Sequence, residues 1–373
     1  MTDELNPAES PNVVAADFER CLELGETGIR DDQHFATLLG LTNYYAARAD
    51  LHRLSQLLET LRAGLDDARA WYRPVIEALY GNLAFILGDM NTARFRIEAA
   101  NRELGALAGL GIDMVWFMAS DPIVAAWLHL AWALLMQGEV GAAESELGRA
   151  AERAEAVSVP QGHYSLGLVR LMEIWIHIEA GQLDRAGESS AELTDQAEFA
   201  ATQRATVNAM AALRADPTDP AELSECLDAM TELVDTWRAI GMNLYTTFFD
   251  AVIARLLIAL QRPDEARARI ETGRQLADDT GMRFYDAELL RLRGHTSTDS
   301  AARAGAFRYA RDIARRQGAH LFELRAVLDD FELRGEPAAA ELVEALDRIP
   351  ADSTLPEVAR ARAALAAMRP GCG

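Results

Sequence analysis

Lysine is absent from this chain of 373 residues, so its 36 basic Lys/Arg side chains are all arginine. Without lysine, the chain has neither Schiff-base chemistry nor a phosphate-binding loop of the Gly-Lys-Ser/Thr type. The motifs Gly-x-Ser-x-Gly and Gly-x-Gly-x-x-Gly are also missing. These absences favour a protein that is not an enzyme and binds no cofactor. A catalytic carboxylate pair among the 58 acidic residues is the alternative that they leave open.

Cysteines and long apolar runs are scarce. Cys21, Cys226 and Cys372 lie far apart, which argues against a zinc site or a disulfide framework and for reduced thiols. The longest apolar run, residues 123–136, contains His129 and is too short to span a bilayer. The acidic first residues do not form a signal peptide. We therefore expect a cytoplasmic protein without a membrane partner and without a bound metal.

The charge balance is strongly acidic, with a net charge of −22. Nucleic-acid binding depends on clustered positive side chains that neutralise phosphates. The balance therefore argues against a nucleic-acid partner and favours solubility, with some preference for basic partners.

Helix-forming residues dominate, and helical periodicity runs nearly from end to end, which predicts an all-α protein. Prolines at Pro122, Pro220 and Pro263 follow breaks in this periodicity and are typical of the first turn of a helix.

Small residues repeat at spacings of seven, five and seven positions. The two clearest sets are Gly81, Gly88, Ala93 and Ala100, and Ala131, Gly138, Ala143 and Ala150. Small side chains at these positions let two antiparallel helices approach closely around a turn at the second position, as in tetratricopeptide repeats. The turn positions are Ala49, Gly88, Gly138, Gly181 and Gln261, which are 39, 50, 43 and 80 residues apart. These units exceed the ~34-residue standard, and the last interval holds a second turn near residues 216–220.

The repeat pattern predicts a tetratricopeptide-like solenoid of helical hairpins, coiled as a right-handed superhelix of about eighteen helices. We expect a disordered N-terminus at residues 1–11 and a repeat array of about seven units at residues 12–334. Capping helices are expected at residues 335–369 and a flexible tail at residues 370–373.

Six segments resemble a region of known bacterial proteins. They are FMASDP (117–122), LAWAL (130–134), WRAIG (237–241), GMRFYDAELLRLRG (281–294), IARRQ (313–317) and FELRA (322–326). From about Phe18 to Met368, the chain is similar to the tetratricopeptide-like C-terminal region of large bacterial signalling ATPases of the STAND class. These include adenylate cyclase-linked proteins and LuxR or maltose-regulator types.

The resemblance implies a role in bacterial signal transduction or regulation. The 373 residues contain neither the ATPase, the cyclase nor the DNA-binding domain of those proteins, so none of their activities is implied. One departure from the family pattern is the segment HTSTDS at residues 295–300, which replaces an apolar helix end and predicts a shortened helix before it.

In tetratricopeptide-like folds, the first helix of each pair lines the concave surface. The position six residues before each turn holds Asn43, Asn82, Trp132, Trp175 and Arg255. A row of amide, indole and guanidinium groups suits an extended peptide or a flat ligand. We expect both tryptophans to be partly exposed in this groove; the alternative is that they only fill space between helices.

Five further candidates lie beside this row: His129, His163, Tyr164, Tyr245 and Asp250. His129 shares a helix face with Trp132, and the others open two inner helices near the ends of the groove. For each of them the alternative is an ordinary packed or hydrogen-bonded side chain.

Three functions follow. The first is a scaffold that binds a protein or peptide, such as the ATPase or cyclase module, through an open concave groove. The second is a small-molecule sensor with an enclosed aromatic pocket, and the third is an enzyme built on a helical solenoid. Convergent carboxylate or histidine pairs with shifted pKa values would favour the third. The sequence does not predict an oligomeric state.

Overall fold

The computed structural model of the chain describes residues 32–108, 120–158, 161–193, 197–215 and 217–368. The predictions on residues 1–11 and 370–373, and on Cys21 and Cys372, lie outside these ranges. Cys226 is a free thiol.

Within these ranges the structure contains seventeen α-helices and no strand, which confirms the all-α prediction. The helices are α1 (Asp32–Ala47), α2 (Leu51–Ala63), α3 (Arg73–Ile86), α4 (Met90–Ala108), α5 (Pro122–Met136), α6 (Val140–Ala156), α7 (Gln161–Glu179), α8 (Leu183–Ala191), α9 (Ala197–Arg214), α10 (Pro220–Ala239), α11 (Thr246–Ala259), α12 (Pro263–Thr280), α13 (Asp286–His295), α14 (Ser300–Gln317), α15 (His320–Arg334), α16 (Ala339–Asp347) and α17 (Pro356–Met368). Short 3-10 helices lie at Ala70–Tyr72 and Glu336–Ala338.

The predicted helix boundaries agree with the structure at several points. α5, α10 and α12 begin at the three prolines. The Asp121 carboxylate accepts hydrogen bonds from the backbone N–H groups of Ile123 and Val124, which satisfies two of the free amides of the first turn of α5. α13 ends at His295 after ten residues, as the departure from the family pattern predicts.

All five predicted turn positions adopt a positive φ, between 57° and 87°. Gly88, Gly138 and Gly181 take this conformation without steric cost, whereas Ala49 and Gln261 take it as residues that rarely do. The sequence spacing therefore located the reversals between paired helices correctly.

The helices pack in succession, and the odd-numbered helices together form one layer. Each helix packs against the next, and from α3 onward each odd-numbered helix also contacts the next odd-numbered helix. α5 is buried at every position except Ala125 and His129, whereas α6 buries only one face. The odd-numbered helices are therefore covered on several sides, and they supply most of the core.

Contacts also join helix pairs that are far apart in the sequence. The Ala47 carbonyl, at the end of α1, accepts backbone hydrogen bonds from Asn243 (2.9 Å) and Leu244 (3.0 Å). One helix pair later, the Ile86 carbonyl at the end of α3 accepts them from Arg283 (2.9 Å) and Phe284 (3.2 Å). In the same sense, α5 contacts α15. Early odd-numbered helices are thus attached to segments about 200 residues further along the chain.

None of the helices in the described ranges is long and apolar enough to cross a membrane.

The small residue Gly81 allows α3 and α4 to approach closely. A methyl group on Gly81 would lie 2.5 Å from Ile97 Cγ1, while one on the exposed Gly148 of α6 would meet nothing within 4 Å. Gly81→Ala should therefore lower the free energy of unfolding by ~1–3 kcal/mol through overpacking. Gly148→Ala should raise it by up to ~1 kcal/mol because alanine is the better helix former. Urea denaturation measures both, and equal effects would contradict the close approach.

Candidate functional site

A cavity of about 220 Å³ lies between the first helices of the chain. Side chains of α1, α3, α5 and α7 form most of its wall, and the segment at residues 237–245 closes another side. The wall is mainly apolar, with leucines and with aromatic rings. Such a concave, largely apolar space with a few polar groups is typical of a small-molecule site.

Six of the ten predicted site residues line this cavity: Asn43, Asn82, His129, Tyr164, Trp175 and Tyr245. They converge because all six lie on or directly before odd-numbered helices, on the side of the helix layer that faces the cavity. Trp132, His163, Asp250 and Arg255 are not among the lining residues.

The expectation that Trp132 and Trp175 are partly exposed in an open groove was wrong. Their exposed fractions are 0% and 1%. Trp132 lies within 6.1 Å, ring centre to ring centre, of Trp175, Tyr245 and Phe248, and Trp175 is in similar contact with the last two. The physical reason is that aromatic rings from distant repeats meet on the inner side of the helix layer and fill it.

His129 and Tyr245 form a hydrogen-bonded pair in the cavity wall. His129 Nδ1 lies 2.8 Å from the Ala125 carbonyl, which can only accept, so this nitrogen carries the proton. His129 Nε2 then accepts a hydrogen bond from the Tyr245 hydroxyl at 2.7 Å. Burial lowers the pKa of His129 to about 4, although the bond to the Ala125 carbonyl opposes this, and burial raises the pKa of Tyr245. Both side chains are therefore neutral at pH 7.

Two polar atoms of the cavity residues have no hydrogen-bond partner among the described residues. They are Asn82 Oδ1, an acceptor, and the indole nitrogen Nε1 of Trp175, a donor. Both atoms are buried, and a buried polar group without a partner costs about 1–3 kcal/mol. Asn82 and Trp175 are therefore the cavity residues that each have one polar atom without a hydrogen-bond partner.

The predicted residues Asp250, His163 and Arg255 lie outside the cavity wall. Asp250 is fully buried and accepts hydrogen bonds from Arg238 and from Arg269, whose Nε lies 2.7 Å from Asp250 Oδ1. His163 is exposed near the start of α7. Arg255 donates to Glu288 at 2.6 Å, so its charge is already neutralised within the protein.

Arg255 belongs to a buried network of charges that extends over α7, α11, α13, α15 and α17. Arg325 pairs with Glu179 and, at 2.6 Å, with Glu357. The Tyr285 hydroxyl donates to Glu179 at 2.6 Å. Burial alone would raise the pKa of Glu179, but the Arg325 and Arg255 guanidinium groups hold it below its usual range. The network links helices that are distant in sequence and leaves these arginines occupied.

The segment with Trp237, Met242 and Leu244 was not predicted from the sequence to be part of a site, although these residues line the cavity. They lie at the end of α10 and in the connection to α11. The apolar character of this connection is the one signal that could have identified it, since loops of this kind are usually polar.

Among the described residues, no group of three or more His, Cys, Asp or Glu side chains is placed to hold a metal ion. A comparison with models of known protein families finds no match, and no curated protein is significantly similar to the chain. The resemblance to the repeat region of signalling ATPases therefore stays a prediction.

The charge network yields a test of stability. Arg325→Met removes the partner of two buried carboxylates and should lower the free energy of unfolding by about 3–5 kcal/mol. The control, Arg360→Met, breaks a pair with Glu332 in which both side chains are more than half exposed, and should cost less than about 1 kcal/mol. Chemical denaturation compares the two variants. A cost for Arg325→Met as small as that of the control would show that the network adds nothing.

The pKa of His129 predicts a pH dependence. Its folded value of about 4 lies below the unfolded value of about 6.5, so only the unfolded chain takes up this proton between those pH values. The contribution of neutral His129 to the free energy of unfolding is therefore fully present above pH ~6.5 and is lost as the pH falls towards 4. Between pH 7 and 4, the wild type should lose ~1–3 kcal/mol more stability than His129→Gln.

Denaturation curves of the wild type and of His129→Gln at several pH values measure this difference. His52→Gln, which changes an exposed histidine of α2, is the control and should follow the wild type. Parallel curves for the wild type and His129→Gln would contradict the lowered pKa of His129 in the folded protein.

Proposed function

We propose that this protein is a non-catalytic regulator that binds a small molecule in the cavity between α1, α3, α5 and α7. The observation that carries the proposal is the cavity itself, which is lined by helices of successive pairs and by the Tyr245 segment. Six residues chosen from the sequence as ligand contacts line it, and two of them have an unused hydrogen-bonding atom.

The proposal includes a tetratricopeptide-like architecture with a right-handed superhelix. The recurrence of the same backbone contact supports it: Ala47 with residues 243–244, and then Ile86 with residues 283–284. Equal contacts one repeat apart are expected where repeats follow one another with a constant rotation. After about one turn of this superhelix, later helix pairs would then contact the first ones.

A small ligand fits the inner side of this architecture better than an extended peptide. The tryptophans that were expected to contact a peptide are buried against other rings, and Arg255 and Asp250 are used in ion pairs. The resemblance to signalling ATPases supplies the second part of the proposal. In it, ligand binding in the cytoplasm changes the affinity for a protein partner, such as an ATPase or cyclase module, at another surface.

Blocking the cavity tests the proposal. Ala125 lines the cavity, and Ala125→Leu would place three more carbon atoms in it while leaving the backbone carbonyl bonded to His129. A ligand at 100 times its dissociation constant stabilises the folded state by ~2.7 kcal/mol. A library of small molecules should therefore contain compounds that raise the melting temperature of the wild type but not of Ala125→Leu.

Ala211→Leu, on an exposed position of α9, is the matched control and should respond to ligands as the wild type does. If no compound stabilises the wild type, or if each stabilises Ala125→Leu equally, the cavity is not a binding site and the proposal fails.

A further inference from the structure

Helix α14 differs from the other described helices in its charge. Its 18 residues include five arginines and one aspartate, whereas α10 has five acidic residues and one arginine. No other described helix has so large an excess of arginine. Because the whole chain has a net charge of −22, an anionic partner is repelled by most of the surface and attracted at α14. This difference favours one orientation of such a partner.

Two arginines on the solvent-exposed face of α14 have no acidic partner. Arg311 and Arg315 each form an ion pair with a carboxylate at 2.7 Å. Arg308 and Arg316 are exposed, and neither forms an ion pair with any described residue. Positions 308 and 316 are about two helical turns apart, so their guanidinium groups extend from the same exposed side of the helix. Both charges are free to bind a carboxylate of another molecule.

The same face holds an exposed aromatic ring and several small residues. Tyr309, seven positions before Arg316, is 51% exposed. Ala301, Ala302 and Gly305 precede it, and a methyl group on Gly305 would meet nothing within 4 Å. No internal contact therefore requires this glycine, although glycine is a poor helix former. Small residues at these positions would let a second helix pack closely against α14.

A second exposed aromatic ring shows why the free arginines matter. Phe95 on α4 is also exposed and lies between Arg94 and Arg96. Both of these arginines already form ion pairs with glutamates of the protein. The ring on α14 is different, because Arg308 beside it and Arg316 are both free. Tyrosine and arginine are among the residue types that most often dominate the binding energy of protein interfaces.

We propose that the exposed face of α14, centred on Arg308, Tyr309 and Arg316, binds an acidic helix of a protein partner. The carboxylates of that helix pair with the two arginines, and its apolar side chains cover the tyrosine ring. A nucleic acid fits less well, because surfaces that bind phosphates use many cationic side chains and only two are free here. The inference goes beyond the proposed function and does not depend on the cavity, since no residue of α14 lines it.

A designed peptide tests the inference on the full chain. It consists of three copies of the heptad Ala-Leu-Glu-Ala-Ala-Glu-Ala, whose residues all favour a helix, and its counterpart has glutamine in place of glutamate. Fluorescence anisotropy of the labelled peptides measures their dissociation constants. We expect the glutamate peptide to bind about ten times more tightly, because only its side chains form ion pairs. Its affinity should fall between about 50 mM and about 300 mM NaCl, since salt screens exposed charges.

Variants assign the contacts to α14. Arg308→Gln/Arg316→Gln removes both free charges and should weaken binding of the glutamate peptide about tenfold, and Tyr309→Ala should weaken it about fivefold or more. The control is Arg102→Gln/Arg204→Gln, which removes two exposed arginines of α4 and α9. It changes the net charge by the same amount and should alter the affinity less than about twofold. Thermal melting followed by circular dichroism verifies that each variant is folded.

The inference fails if the glutamate peptide does not bind, or if the control variant weakens binding as much as Arg308→Gln/Arg316→Gln. It also fails if a DNA duplex binds more tightly than the peptide and loses its affinity in that variant, because the face would then bind phosphates. Self-association of the wild type in ultracentrifugation that the same variant abolishes would identify a second copy of this chain as the occupant instead. None of these results bears on the cavity, which Ala125→Leu tests separately.

Discussion

The structure depends on the burial of Trp132 and Trp175 against aromatic rings of α3, α11 and the start of α13. A helical repeat protein usually leaves its inner surface open, because each repeat contacts only its neighbours. Here Trp132 packs against Phe85 of α3 and Phe284 just before α13, residues about 200 positions apart. Large aromatic side chains dominate the energetics of the cores in which they are buried, so these rings stabilise contacts between helices that are distant in the sequence. The cavity is the part of the inner side that they leave unfilled.

Tyr245 connects this aromatic cluster to the cavity. Its φ of 65° is unfavourable for a residue with a side chain, and such a conformation persists only where surrounding contacts hold it. Those contacts are the hydrogen bond from its hydroxyl to His129 and the bonds of the preceding backbone to Ala47. Occupation of the cavity would act on all of them together, because Tyr245 lines the cavity and borders both α1 and α5. Under the proposed function, a ligand in contact with Tyr245 would therefore affect the contact between α1 and the connection before α11.

The sequence predicted features that depend on one helix pair. It did not predict features that depend on contacts between distant parts of the chain. The turns at Gly88 and Gln261 follow from a spacing within one helix pair, and six of the ten candidate residues lie in the wall of one cavity. The burial of Trp175 could not be predicted in this way, because it depends on Phe248 and Tyr245 arriving from about 70 residues away. Likewise, the connection with Met242 and Leu244 enters the cavity wall only because it is bonded to the end of α1. Pattern reasoning places side chains on a helix face, but not the distant segment that covers that face.

The position six residues before each turn illustrates this limit, because its chemistry follows its surroundings along the chain. Asn43 and Asn82 border the cavity, whereas Trp132 lies at the centre of the aromatic cluster and Trp175 lies between that cluster and the cavity. Arg255 lies beside the buried carboxylates of Glu179 and Glu288, and its guanidinium group neutralises their charge. The same position before the turn thus lies in a cavity wall, in an apolar core or in an ion-pair network, depending on the helix pair. No charged member of that network is among the described residues that line the cavity, so the network and the cavity use different parts of the helix layer.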